Sequence, residues 1–162
     1  GVSIQMVLLR PQSVGEVRLA SADPAAMPLI SPNFLKEQAD MDAMIAGLRY
    51  FRQTMETRPL ADKIKEVVAP LDMSDAGLAA HCRKVVKTNF HPAGTAKMGA
   101  DGDTMAVLDA RMRVRGIAGL RVCDMSAVPD IPAGNTNAPA MVWGGDSEDN
   151  LVIQKMTSKK PS

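Results

Sequence analysis

The sequence predicts an α+β chain, because two kinds of hydrophobic pattern occupy different stretches of it. Apolar and polar residues alternate at residues 2–8 and again at 16–19, with a turn cluster between them, which predicts a β-hairpin or a looped strand pair. Helical spacing of apolar residues takes over from Asp40 onward. Short strand patterns return at residues 107–114 and 120–123. Predicted strands therefore precede and follow a helical section of the chain.

The first predicted helix runs from Asp40 toward Pro59. The Asp40 carboxylate can cap its start by accepting the free amide hydrogens of the first turn. One face of this helix carries only apolar side chains. They are Met41, Met44, Ile45, Leu48, Phe51 and Met55. We interpret this methionine-rich stripe as core rather than as a cofactor site, because methionine fills irregular gaps between packed elements.

Two more helices are predicted further along the chain. Ser74 is placed to cap a helix that covers residues 75–86, and a last helix follows Pro139 and includes apolar positions as far as residue 153. A short helical piece is also expected at residues 61–68. Residues 157–162 are polar and are expected to be disordered.

Composition excludes several classes of protein. The 162 residues have a formal net charge of +1, so there is no strong field to attract nucleic acid or an anionic membrane. No run approaches the roughly 18 apolar residues of a transmembrane helix. Cys82 and Cys123 lie far apart without metal-binding spacing, and we interpret them as reduced, buried thiols of a cytosolic protein. We expect a cytoplasmic protein with no metal site and no nucleic-acid partner.

His91 is the first candidate for chemistry. It opens a loop in which Pro92 and Gly94 restrict the backbone, whereas His81 lies within a predicted helix and is interpreted as structural or exposed. A histidine in such a loop can act as a general base, because its pKa lies close to the working pH. It can equally be a hydrogen-bonded structural residue. The residue pattern alone leaves both roles open.

A second group of candidates lies between Gly134 and Pro139. Asn135 and Asn137 stand two residues apart before the last predicted helix, where side-chain amides and backbone N–H groups can face a developing negative charge. Turn and capping roles are the alternative. Asp124, at the end of the short strand pattern, can hydrogen-bond a ribityl or ribose hydroxyl or can cap the next turn.

The order and spacing of these segments resemble a known family. The upstream matching segments are Leu9-Arg10-Pro11-x-Ser13-x-Gly15-x-Val17-x-Leu19, Asp23-Pro24 and Ser31-Pro32-Asn33-Phe34. The downstream matching segments are His91-Pro92-x-Gly94-Thr95-x-x-Met98-Gly99, Ala106-Val107-Leu108-Asp109, Arg113-Val114-x-Gly116, Gly119-Leu120-Arg121-Val122-x-Asp124-x-Ser126-x-x-Pro129 and Gly134-Asn135-x-Asn137-Ala138-Pro139. Together they resemble the C-terminal signature of the glucose-methanol-choline oxidoreductases, in particular the choline-dehydrogenase-like branch.

This resemblance implies an FAD-dependent oxidation of a primary alcohol to an aldehyde, with hydride passing to the flavin N5 atom. By similarity, His91 is the active-site base that takes or stabilises the hydroxyl proton, and Asn135 hydrogen-bonds the same substrate oxygen. Asn137 and Ala138 would lie at the pyrimidine end of the flavin ring. Asp124 and Met125 would lie near the ribityl and pyrophosphate part of FAD, which completes the cofactor-binding set. The implied small-molecule partner is a primary alcohol.

The resemblance also implies an architecture. Residues 1–100 would form the substrate-binding region, an antiparallel sheet covered by helices, which ends in the loop of the active-site histidine. Residues 101–162 would return to an FAD-binding α/β domain, to which residues 120–123 contribute a strand and the last helix packs beside it. Residues 142–150 depart from the Ala- and Glu-rich closing helix of the family, and Ala140 stands where a threonine is common.

The family's G-x-G-x-x-G fingerprint for the FAD pyrophosphate is not found in this sequence. We therefore expect the chain to be a C-terminal fragment that lacks the N-terminal FAD domain, retains FAD poorly and is inactive alone. Exposed apolar surface near residues 120–123 would then favour self-association of the fragment. The alternatives are a free-standing, non-catalytic binding or interaction domain, or one subunit of a split flavoenzyme.

Overall fold

The computed structural model describes residues 3–145, which belong to two compact units, Gly1–Asn89 and Phe90–Ser162. The helices and strands of the first unit are β1 (Glu16–Arg18), β2 (Leu29–Ser31), α1 (Gln38–Met55) and α2 (Asp75–Val85). The second unit contains α3 (Asn137–Gly145) and a 3₁₀ turn at Met125–Ala127. The described chain is thus α+β, with less strand than the sequence predicts.

Helix α1 follows the predicted apolar stripe but begins before Asp40. Its first residue is Gln38, and Glu37 holds the N-cap position without a side-chain hydrogen bond to the first turn. Asp40 lies inside the first turn, so the predicted capping role of Asp40 is wrong. Met41 and Ile45 of the stripe are buried, which confirms the interpretation of the stripe as core.

The Asp40 carboxylate instead fastens a distant turn to helix α1. Its two oxygens accept the backbone N–H groups of Gln12 and Ser13, both at 2.8 Å, and the Asp40 residue is only 3% exposed. Burial raises the pKa of the Asp40 carboxyl, but the hydrogen bonds from Gln12 and Ser13 together lower it by more, so the net shift is downward. Asp40 therefore connects two segments of the first unit as a charged acceptor.

Helices α1 and α2 pack together around the core of the first unit. The buried side chains of this core are Met41, Ile45, Leu78 and Cys82. Helix α2 begins as predicted, because the Ser74 hydroxyl accepts the backbone N–H of Gly77 at 3.1 Å. Burial raises the pKa of the Cys82 thiol, as expected for a reduced, buried cysteine, whereas Cys123 is only partly buried.

The N-terminal alternation does not form a strand. Residues 3–8 have no regular secondary structure, and β1 pairs with β2 in an antiparallel register instead, with Val17 opposite Ile30. Met6 packs on helix α1 at Gly47, where an added Cβ would lie 1.8 Å from the Met6 sulfur. Met6, one residue of the alternating set, thus packs on a helix. Periodicity alone cannot distinguish this from strand pairing.

The two-stranded sheet is not covered by helices as the resemblance implies. Every residue of β1 and β2 is exposed, including Val17 and Ile30. A ribbon of two three-residue strands offers little area for a helix to pack on. The predicted helical piece at residues 61–68 is likewise reduced to a 3₁₀ turn, Ala61–Lys63.

In the second unit, the strands predicted at residues 107–114 and 120–123 are reduced to isolated bridges. The bridged pairs are Met98 with Leu108, Leu108 with Val114, and Arg113 with Arg121. Gly116 and Gly119 have φ angles of +79° and +75°, and this left-handed backbone turns the chain sharply between the bridged segments. The described residues therefore contain no regular strand at 120–123 of the kind expected for an FAD-binding sheet.

The last helix begins at Asn137, two residues before Pro139, whereas the sequence predicted a start after this proline. Proline is tolerated in the first turn because the N–H groups there have no intrahelical partner. Positions 151 and 153, which the sequence analysis assigned to this helix, lie outside the described residues, as does most of the divergent 142–150 segment. Within residues 3–145, no helix has both the length and the apolar character needed to cross a bilayer.

Candidate active site

Backbone hydrogen bonds hold the loop that follows His91 along the turn Met125–Ala127. Three N–H groups of the loop donate to three successive carbonyls of the turn. The pairs are Gly94 to Met125 at 3.1 Å, Ala96 to Ser126 at 2.9 Å, and Met98 to Ala127 at 2.9 Å. Ala127 and Val128 are buried, so the loop is attached to the interior of the second unit. Its path depends on main-chain bonds more than on particular side chains.

Charged side chains fix the far end of the same loop. Lys97 donates to Asp103 at 2.7 Å, and this hydrogen bond is the main reason why the pKa of Asp103 lies below its usual value. Arg115 donates to the carbonyl of Gly99 at 2.8 Å and to Asp101 at 2.9 Å. Because these groups are partly exposed, each ion pair contributes modestly to stability. The loop is nevertheless held at both ends.

Gly94 has a backbone conformation that favours glycine. Its φ angle is +79°, in the left-handed region, and an added Cβ would lie 3.3 Å from the carbonyl oxygen of Val128. Residues with a Cβ adopt this conformation only at a cost in free energy. A glycine is therefore needed at this position for the loop to reach the turn.

We expect Gly94→Ala to lower the free energy of unfolding by about 1–2 kcal/mol, the cost of a left-handed residue that carries a Cβ. Chemical denaturation followed by circular dichroism measures the change. Gly102→Ala is the matched control, since no atom lies within 4 Å of its added Cβ, and it should leave stability unchanged or slightly raised. Equal stability of the two variants would contradict the assigned role of Gly94.

His91 is held by Thr136, which lies 45 residues further along the chain. The Nδ1 atom of His91 is 2.9 Å from the Thr136 hydroxyl oxygen, and the backbone N–H of Thr136 donates to the same nitrogen at 3.5 Å. Thr136 is 8% exposed, and the His91 side chain is half-buried. A buried hydroxyl requires a hydrogen-bond partner. The imidazole supplies that partner, and the contact fixes the orientation of the ring.

Asn135 and Asn137 flank Thr136, and both are exposed. Helix α3 begins at Asn137, so the N-cap position belongs to Thr136 and neither asparagine occupies it. Ala138, the second residue of the helix, is exposed as well. The first N–H groups of a helix lack intrahelical partners and carry the positive end of the helix dipole. This segment therefore presents exposed donors next to the residue that holds His91.

Asp124 and Met125 lie at the start of the turn that supports the histidine loop. The Asp124 carboxylate accepts the backbone N–H of Ser126 at 2.8 Å and also the Ser126 hydroxyl, so Asp124 caps this turn. The capping role left open in the sequence is thus present in the structure. The carbonyl of Met125 accepts the N–H of Gly94. Contact of either residue with a ribityl or pyrophosphate group stays a prediction.

The structure brings the histidine loop together with both other candidate segments, through main-chain bonds to the turn and through Thr136 to the start of α3. Thr136 was missed in the sequence analysis. The available signal was a small hydroxyl side chain between two candidate asparagines. Spacing cannot show that this hydroxyl faces an imidazole 45 residues away.

Comparison with known proteins identifies the class to which this fold and site belong. Residues 11–144 match the family described as GMC oxidoreductase, a span that includes every candidate site residue. The chain belongs to the GMC oxidoreductase family and corresponds to its C-terminal part. The resemblance inferred from the sequence motifs is confirmed.

Curated relatives support this assignment. The chain is 39% identical to the oxygen-dependent choline dehydrogenase 1 of Chromohalobacter salexigens, over 93% of the chain and 26% of the relative. It is 36% identical to an alcohol dehydrogenase [acceptor] of Pseudomonas putida, over 96% of the chain and 28% of the relative. The chain thus spans little more than a quarter of the length of these relatives.

Among solved structures, a formate oxidase of Aspergillus oryzae RIB40, in a variant that addresses FAD modification, matches with a TM-score of 0.76 and 32% identity. The match covers 93% of this chain and 26% of the oxidase. The described fold is therefore similar to about a quarter of a larger protein.

Proposed function

We propose that this chain is the C-terminal part of an FAD-dependent oxidoreductase that converts a primary alcohol to an aldehyde. The family supports an FAD-dependent oxidoreductase, and relatives named alcohol dehydrogenase and choline dehydrogenase support a hydroxyl-bearing substrate. The observation that carries the proposal is the orientation of His91, which Thr136 holds next to the exposed Asn135 and Asn137. A histidine held in this way suits proton chemistry at a substrate oxygen.

His91 is the group that handles the hydroxyl proton. It takes this proton or stabilises it by a hydrogen bond, which makes departure of hydride from the neighbouring carbon easier. The Nδ1 atom is already engaged with Thr136, so Nε2 is the ring atom assigned to the substrate. Asn135, one residue from Thr136 and exposed, donates its amide to the same substrate oxygen and limits its movement.

The residues present fit one end of the cofactor. Exposed backbone and amide donors at Asn137 and Ala138 stand at the positive end of helix α3, and such donors favour an electron-rich ring. When bound, FAD supplies the hydride acceptor. Asp124 and Met125 are assigned to the ribityl and pyrophosphate side. Nothing in this sequence matches the glycine-rich pyrophosphate loop, so that part of the site belongs to an N-terminal FAD domain.

The same proposal divides the chain by role. Residues 1–100 belong to the substrate-binding region and residues 101–162 to the FAD-binding domain. A chain that covers about a quarter of its relatives' length then lacks most of the FAD site, and we expect it to be inactive alone. The missing FAD domain is its principal partner.

The test uses the full-length protein, in which the proposed FAD domain is present together with this chain. Its visible spectrum is recorded without oxygen before and after addition of a primary alcohol, with the corresponding methyl ether as the matched control ligand. We expect the oxidised flavin band to disappear with the alcohol and to persist with the ether. A full-length protein that binds no flavin, or whose flavin no alcohol reduces, would contradict the proposal and favour a non-catalytic binding domain.

A further inference from the structure

We propose that Thr136 is a positioning residue that holds neutral His91 as the tautomer with its proton on Nε2. His91 would then present a hydrogen-bond donor, rather than a lone pair, to whatever faces Nε2. The assignment of that facing group as the substrate oxygen rests on the proposed function. The tautomer itself follows from two contacts within the second unit.

Both contacts are made to one ring nitrogen. The hydroxyl of Thr136 lies 2.9 Å from Nδ1, and the backbone N–H of the same residue donates to Nδ1 at 3.5 Å. A hydroxyl can donate or accept, but a backbone N–H can only donate. If Nδ1 carried a proton, two hydrogen-bond donors would face each other. Nδ1 is therefore unprotonated and accepts the backbone N–H with its lone pair. In a neutral imidazole the other nitrogen then carries the proton.

The local structure explains why the Thr136 hydroxyl is available to His91. Thr136 is the N-cap of α3, and its carbonyl accepts the N–H of Ala140 at 2.9 Å. An N-cap hydroxyl usually accepts the N–H of the second or third helical residue. The third residue here, Pro139, has no N–H, so Ala138 alone could make this capping bond. The hydroxyl is buried, and the imidazole satisfies it.

This arrangement has a chemical consequence. With its proton on Nε2 and its Nδ1 lone pair facing Thr136, His91 has no free lone pair for the hydroxyl proton, so of the two roles proposed for it only hydrogen-bond stabilisation remains. The Nε2–H, already oriented, stabilises the negative charge left on the substrate oxygen when the hydroxyl proton passes to solvent water. Thr136 acts through the imidazole and is assigned no contact with substrate. The hydroxyl of Thr136 determines which tautomer of His91 is present. The packing of the Thr136 methyl group has no part in this.

The tautomer can be measured directly, because the chain contains only two histidines. Long-range ¹H–¹⁵N spectra of ¹⁵N-labelled protein at about pH 8.5, well above the ordinary histidine pKa of about 6.5, distinguish protonated from unprotonated ring nitrogens. His91→Gln assigns the signals, and His81 on helix α2 serves as the internal reference. We expect unprotonated Nδ1 and protonated Nε2 for His91.

Two variants separate the hydroxyl from side-chain shape. Thr136→Val keeps the volume but removes the donor, and we expect the preference for Nε2–H to fall about fivefold, equivalent to ~1 kcal/mol for one neutral hydrogen bond. Thr136→Ser keeps the hydroxyl and should restore the preference. Unchanged ¹H–¹⁵N amide signals of residues 94–128, which belong to the same unit as Thr136, show that the fold is retained.

A wild-type His91 with its proton on Nδ1 would overturn the proposal, even if Thr136→Val did not fold. So would a Thr136→Val spectrum identical to wild type, or a Thr136→Ser spectrum identical to that of Thr136→Val. None of these spectra requires flavin or alcohol. Failure of alcohol oxidation in the full-length protein would therefore overturn the proposed function and leave the tautomer result standing.

Discussion

His91→Ala is expected to slow the reduction of flavin by alcohol in the full-length protein by about 10²–10⁴-fold, the usual contribution of a positioned acid–base group. The physical reason is that the substrate oxygen loses the imidazole assigned to it. Rapid-mixing absorbance of the flavin band without oxygen measures the rate. Because alanine also leaves the buried Thr136 hydroxyl without its partner, His91→Asn is the better-matched variant and should show a loss of the same order.

His81→Ala is the control for this experiment. It removes the other histidine of the chain, which lies on helix α2 in the first unit and is given no chemical role. Flavin content must be equal in all variants for the comparison to hold. A reduction rate that stays within a few-fold of wild type in both His91 variants would remove His91 from the mechanism, given the range expected for such groups.

Asp40→Ala should lower the free energy of unfolding by about 2–3 kcal/mol, more than any other stability change predicted for this chain. It removes the charged acceptor of two backbone N–H groups, each at 2.8 Å, and hydrogen bonds to charged groups contribute about 1.5–3 kcal/mol. Part of the loss is recovered because the freed N–H groups of Gln12 and Ser13 can reach water. Denaturant unfolding followed by helix circular dichroism measures the difference.

The contribution of Asp40 should also depend on pH in a defined direction. Since its pKa is lowered in the folded protein, the stabilisation is complete above the unfolded value of about 3.9 and is lost as pH falls through the folded value. The destabilisation by Asp40→Ala should accordingly shrink in strong acid. Asp42→Ala is the matched control. Asp42 is an exposed carboxylate two residues away that accepts a hydrogen bond from Gln38, and its removal should change the free energy of unfolding by no more than about 0.5 kcal/mol. Equal effects of the two substitutions would contradict the role of Asp40.

Local patterns predicted the helices of the first unit because their information lies within a few residues. The stripe that contains Met41 and Ile45 marks a helix face, and Ser74 marks a helix start, since the hydrogen bond it accepts comes from three residues away. Asp40 was misassigned for the same reason. An aspartate at the start of an apolar helical pattern is typical of an N-cap. Only the folded chain shows that the carboxylate oxygens of Asp40 accept hydrogen bonds from the turn near Gln12.

Strands were predicted less well, because a strand is defined by its neighbour. Residues 3–8 have the right alternation, yet Met6 packs against Gly47 of a helix. Residues 120–123 carry a strand-like sequence, but the described residues contain only isolated bridges there. Pairing partners lie far along the sequence, and period-two patterns do not identify them.

For the candidate site, the motif order predicted the family, which is confirmed, and it selected His91 and Asn135, whose roles stay predictions. The sequence did not predict the contact between His91 and Thr136, because it joins two loops 45 residues apart. Nor did it predict that the histidine loop would be held by main-chain bonds to the turn at Met125–Ala127. Main-chain bonds leave no signature in side-chain identity.

The separation of His91 from Thr136 also sets an order of events during protein synthesis. At about 5–20 residues per second, the ribosome reaches Thr136 some seconds after His91 has been added. Throughout that interval the imidazole lacks its hydroxyl partner, and for most of it the turn Met125–Ala127, on which its loop rests, has not been made either. The contact that orients the imidazole therefore forms only after the chain between the two residues has been made.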